Sequence, residues 1–157
     1  MTLDDLTVNI SHLDQSMILS DWQWLIGVNK LPILVCAIGD VFLQDSETGV
    51  IDCLDVSSGE VLPIASDVNE FRELLSSTEF VVNHFAVQLV GDLLKSGLSL
   101  ASGEVFSFKK PLALGGDCVL ENIEPTDLEV HFSIYGQIHE QIKNLPDGVS
   151  VDNIKIG

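Results

Sequence analysis

The segment His139-Glu140-Gln141-Ile142-Lys143 opens as a zinc-protease helix opens, with a histidine followed directly by a glutamate. That chemistry needs a second histidine one helical turn after the first, so that two imidazoles share a face and hold the ion while the glutamate acts as base. Position 143 is lysine, and the metal face is incomplete. Asp45, Glu47 and Gly49 imitate the start of a calcium loop, but glycine is missing from the sixth loop position and no bidentate glutamate closes it. Gly115-Gly116-Asp117 offers pliable backbone, yet a phosphate-cradling loop needs a lysine and a hydroxyl at the head of a helix, and neither is there. No nucleophile-elbow or other local triad signature is present. The sequence therefore predicts no catalytic residue, no metal and no cofactor.

Two groups of residues remain. Leu128, Val130, Phe132 and Ile134 alternate with Glu129, His131, Ser133 and Tyr135, which predicts a half-buried strand over 128–135. On such a strand His131 shares the polar face with Glu129 and Ser133. A hydrolase built on His131 and Glu129 is one reading, and a solvent-facing or hydrogen-bonded histidine is the simpler and preferred one. The second group is acidic. Asp40, Asp45, Glu47, Asp52, Asp55 and Glu60 fall within 21 residues that contain no lysine or arginine, so they have no local counter-charge. Asp45, Glu47, Asp52 and Glu60 are the expected partner-binding residues; the competing explanation is a solvated sheet edge charged against strand addition.

These residues must be held by the surrounding elements. Apolar residues at spacings of three and four predict a helix over 13–26 ended by Gly27. Apolar runs at 33–38, 41–44, 50–56 and 60–64, separated by polar, glycine-terminated loops, predict an antiparallel meander. Asp67 and Glu70 have the spacing of a capping box ahead of Val68, Phe71, Leu74 and Leu75. A broadly apolar helix is expected over 78–96, stopped by Gly97, followed by a strand at 105–108. Ile138, Ile142 and Leu145 suggest a short helix ended by Pro146, and 149–156 a terminal hairpin. The expected fold is α+β: an antiparallel meander or sheet packed against several helices in a single compact domain, 1–157.

Composition narrows the partners. The 157 residues carry 24 acids against 7 bases, a formal net charge of −17. Residues 1–71 hold twelve acids and one base, Lys30; 72–157 hold twelve and six. Such a field repels nucleic acid and anionic membrane and attracts a basic macromolecule. Cys36, Cys53 and Cys118 lack paired spacing and read as buried free thiols of a reducing compartment. With two aspartates where a secretory signal would carry lysines, and no apolar run of membrane-spanning length, the expected location is cytoplasmic.

Several stretches resemble one family. Trp22-Gln23-Trp24-Leu25-Ile26-Gly27, Gly39-Asp40-Val41-Phe42 and Gly49 to Asp55 are similar to the GAD-like N-terminal part of bacterial Tdi-type immunity proteins. Gly103-Glu104-Val105-Phe106, Pro111-Leu112-Ala113-Leu114-Gly115-Gly116, Val130-His131 and Tyr135-Gly136-Gln137-Ile138 resemble the C-terminal domain of the same proteins. The resemblance divides the domain into a GAD-like helix and meander at 13–65 and a Tdi C-terminal-like part at 66–145. It implies an antitoxin that binds a DNase delivered by the type VI secretion system, with no catalytic residues to carry over and with a basic protein toxin as partner. The alternative is a housekeeping ligand-binding or scaffold protein, in which helix 78–96 and the Gly115-Gly116 turn border a pocket.

Overall fold

The computed structural model describes residues 1–146 and 154–156. The chain opens with a single helical turn, α1 (Leu3–Leu6), and a two-residue strand, β1 (Thr7–Val8). A 3-10 turn (Ser20–Trp22) then runs into the short α2 (Gln23–Ile26). The meander follows as β2 (Lys30–Cys36), β3 (Val41–Asp45), β4 (Ile51–Asp55) and β5 (Glu60–Ala65). Next come α3 (Val68–Leu75), α4 (Thr78–His84) and α5 (Val87–Lys95). The chain continues through β6 (Glu104–Phe108) and β7 (Ile123–Asp127) into α6 (Leu128–Asn144). Strands β1 to β5 form one antiparallel sheet in chain order, and β6 and β7 form a second, two-stranded one. The molecule is thus the α+β single domain expected, with the antiparallel meander at its centre.

Both faces of the large sheet are buried at its central strands, β3 and β4. On one side Phe42, Ile51 and Cys53 meet Phe71, Phe85, Val90 and Leu93 of the α3–α5 layer. The ring of Phe42 lies 4.9 Å from that of Phe71 and 5.5 Å from that of Phe85. On the other side Val41, Leu43 and Leu54 meet Trp22, Leu128, Phe132 and Tyr135. Alternate residues of one strand therefore enter different cores, because successive side chains point to opposite faces. This is why β3 and β4 read as nearly continuous apolar runs.

Local chemistry sets the boundaries. Asp67 accepts from the Glu70 amide at 2.8 Å and caps α3, as its spacing predicts. Gly97, at φ +97°, ends α5. The long helix expected at 78–96 is instead two, broken at Phe85 and Ala86, where Ala86 takes a left-handed φ of +49°. One straight helix would spread its apolar residues around its circumference, whereas the break turns Phe80, Phe85, Val90 and Leu93 onto the same sheet.

The helix expected at 13–26 survives only in its last residues. Ahead of it Asn9 accepts from Ser11 N and Asp14 accepts from Ser16 N, side-chain bonds that favour turns over helix. The strand expected at 128–135 is the first half of α6. Leu128, Phe132, Tyr135 and Ile138 form its buried stripe at helical spacing. Val130 and Ile134 only imitate a strand, since they lie on another face and Val130 is 47% exposed. Cys36 and Cys53 are buried free thiols, but Cys118 is exposed, contrary to expectation. Most of the hairpin expected at 149–156 lies outside the described residues.

Candidate functional site

Helix α6 carries Asp127 as its cap, accepting from Val130 N at 3.1 Å, and directs His131, Tyr135 and His139 along one line. Residues four apart stack above each other on a helix, and the three rings follow at centroid distances of 4.9 and 6.4 Å. The ladder fastens α6 to the meander. His131 Nε2 meets the Gly39 carbonyl at 3.0 Å, in the β2–β3 turn, and His139 Nε2 meets the Val56 carbonyl at 2.9 Å, in the β4–β5 turn. Both histidines press on a turn glycine. A Cβ on Gly59 would lie 2.6 Å from His139 Nδ1, and one on Gly39 would overlap His131 Nε2. From the other side Trp22 donates to the Phe132 carbonyl at 2.9 Å and Trp24 to that of Gly136 at 3.2 Å. Gly136 is where a side chain would collide with the Asp21 backbone.

The surroundings of His131 decide what it can do. Because the Gly39 carbonyl can only accept, Nε2 carries the proton; Nδ1 then accepts from the Ser107 hydroxyl at 2.8 Å. Tyr135 donates to the Phe108 carbonyl at 3.2 Å beside it. Burial pushes the His131 pKa down to about 4, against the opposing pull of the Gly39 bond. The ring is neutral and both its nitrogens are engaged, in contrast to the exposed strand face it was expected to share with Glu129 and Ser133. A cavity of about 260 Å³ adjoins this network, walled by Phe108, Pro111, Leu114, Ile134 and Ile138. Sequence reasoning missed Ser107 and Tyr135, since their bonds join β6 to α6 across more than twenty residues of chain. Among the described residues no group of three or more His, Cys, Asp or Glu could hold a metal.

The predicted acids separate into two places. The β3–β4 turn is at one end of the sheet and the β2–β3 and β4–β5 turns at the other, about 17–20 Å away for strands of this length. Asp45, Glu47 and Asp52 belong to the first end and Glu60 to the second. Lys30, opposite Asp45 in register, puts its Nζ 2.6 Å from Asp52 Oδ2 and 3.9 Å from Asp45 Oδ2. The sheet thus supplies the counter-charge that the local sequence lacks. Asp45 also accepts from the amides of Thr48 and Glu47 at 3.0 and 2.8 Å, which lowers its pKa. Glu47 and Glu60 are exposed.

Asp40 is not a surface charge of the same kind. It turns inward and accepts from Val56 N at 3.0 Å. Burial, reinforced by the charge of Asp55, pushes its pKa up to about 7. No described helix is long and apolar enough to cross a membrane.

Residues 65–139, from the end of β5 into α6, match the family described as T6SS immunity protein Tdi1, C-terminal. They include Ser107, the Pro111–Gly116 run, His131 and Tyr135. No curated protein matches the chain significantly. Among solved structures it is similar to the crystal structure of Atu4351 from Agrobacterium tumefaciens, with 21% identity and a TM-score of 0.54. The likeness covers 78% of this chain and 60% of that one. The chain therefore spans about three-fifths of that protein's length, and at this identity the likeness concerns the fold.

Proposed function

We propose that this chain neutralises a basic nuclease toxin by binding it, without turnover, because residues 65–139 match the family described as T6SS immunity protein Tdi1, C-terminal. The family match carries this reading. The charge supports the finer part of it: a net −17 opposes contact with nucleic acid and favours a cationic protein such as one with a phosphate-binding cleft. Glu47 and Glu60, with Asp45 and Asp52, add to a field that draws such a toxin in. Electrostatic steering of this kind raises association toward about 10⁸ M⁻¹s⁻¹ at low salt. The toxin would be met in the cytoplasm of the producing cell, before export.

The test is direct. The toxin domains of the host's own type VI effectors are expressed singly in a sensitive strain, with and without this chain. Rescue of growth from one DNA-cleaving domain, with recovery of a stable complex, supports the proposal. Failure to rescue from any of them removes it.

The cavity beside His131 favours a second reading, a ligand-binding protein for a small apolar molecule. Its walls come from β6, the 111–114 turn, β7, α6 and Ile156, not from α4 and α5. On that reading growth rescue is absent, and filling the cavity by Ile138→Phe abolishes binding of the ligand.

A further inference from the structure

Among the described residues, the face of α6 that imitated a strand is left partly open to solvent. Val130 and Ile134 interrupt the polar surface of a helix whose other side already fills the core, and Val130 is 47% exposed. Met17, 60% exposed, approaches from the loop before the 3-10 turn, and Ile156, 51% exposed, from the C-terminal side. Together they line one shallow groove of about 550 Å³. Ile156 is brought there by a two-point grip, in which the Gln141 side-chain amide bonds both to the carbonyl and to the amide of Lys155; the second bond is 2.8 Å.

Apolar side chains from three separate parts of the chain converge on this groove while remaining in water. Isolated exposed apolar residues are ordinary, but a contiguous group rimmed by polar residues marks a contact surface. Its rim is acidic: Asp21 and Glu129 line it, and none of the described lining residues is a lysine or arginine. The surface complements an apolar side chain flanked by arginines or lysines. An apolar centre that excludes water within a charged rim is the arrangement in which a few central residues supply most of the affinity.

We infer that this groove is the docking seat for the basic toxin, which inserts an apolar anchor between Met17, Val130, Ile134 and Ile156 and sets cationic side chains against Asp21 and Glu129. The inference rests on the immunity reading and adds the surface to it. Its helical wall, Glu129 to Gln137, lies within the segment shared with the immunity family. The meander acids then serve encounter and the groove serves retention.

The experiment uses the full chain and the toxin domain that it neutralises, with binding followed by surface plasmon resonance. Met17→Lys/Val130→Lys should weaken the complex at least 100-fold, mostly through faster dissociation. Met17→Ala/Val130→Ala, which adds no charge at the start of α6, should weaken it about tenfold; it decides the matter if the lysine variant does not fold. Glu47→Lys/Glu60→Lys should slow association at low salt and leave dissociation unchanged. If the folded groove variants bind within threefold of the parent, the groove is not the seat, while the immunity reading stands. If the parent chain neutralises no toxin domain, the immunity reading falls and this inference with it.

Discussion

Asp40 and His131 flank the same turn and titrate in opposite senses. Asp40 is raised in the folded chain from the ordinary 3.8 to about 7. Its contribution to stability is therefore full below pH 3.8 and is lost as the pH rises through 7. His131 is depressed from 6.5 to about 4, so its contribution is full above 6.5 and is lost as the pH falls through 4. Between about pH 4 and 6.5 the two slopes oppose each other, which flattens the wild-type profile.

Asp40→Asn keeps an oxygen for the Val56 amide and removes one slope. Relative to wild type it should gain on the order of 2–4 kcal/mol between pH 5 and pH 8. Urea unfolding at both values measures this, and an equal difference at the two would refute the assignment. A second test concerns the turn glycines. Gly97→Ala, at φ +97° with open space around it, should cost about 1 kcal/mol. Gly59→Ala, at φ +73° and against His139, should cost about 2–4 kcal/mol because the imidazole must also move. Equal losses in thermal melts would mean that the histidine contact carries no weight.

Among the elements, those readable from the sequence are those whose signals are local. The Ser46 to Gly49 and Ser57 to Gly59 loops, the Asp67 cap and the Gly97 stop each declare themselves within a few residues. Helix α6 was illegible because Val130 and Ile134, which lie off its buried stripe, are apolar as well. Added to the buried stripe, they create a period of two. Strand β7 was hidden by its composition, Ile-Glu-Pro-Thr-Asp, in which a proline is tolerated because the strand has one partner only. The α4–α5 break has no sequence marker, since Ala86 holds a left-handed conformation that glycine would adopt more readily. Ala86→Gly should raise stability by about 0.5 kcal/mol, and Ala86→Val should lower it by about 1–2 kcal/mol. Chemical denaturation reads both; a loss on introducing glycine would show that the kink is not strained.

At the scale of the molecule, the charge was legible at once but its layout was not. The sequence shows acids with no local bases; the sheet brings Lys30 to Asp52 and Asp45, turns Asp40 inward and sends Glu60 to the far end. What remains outside is a diffuse negative field rather than a single patch. Association with a basic toxin should consequently fall with ionic strength as the Debye length shrinks from about 30 Å at 0.01 M to about 10 Å at 0.1 M. Stopped-flow rates over that range measure the effect, and a rate independent of salt would leave the field without a role.

On the proposed reading the chain inhibits its toxin by occupying it and not by altering it. A stoichiometric titration of the nuclease activity of the toxin with the purified chain separates the two. Activity should fall linearly to zero at one equivalent and return when the complex is dissociated and the toxin refolded. Complete and permanent loss at a hundredth of an equivalent would contradict inhibition by occupancy, because only a catalyst could achieve it.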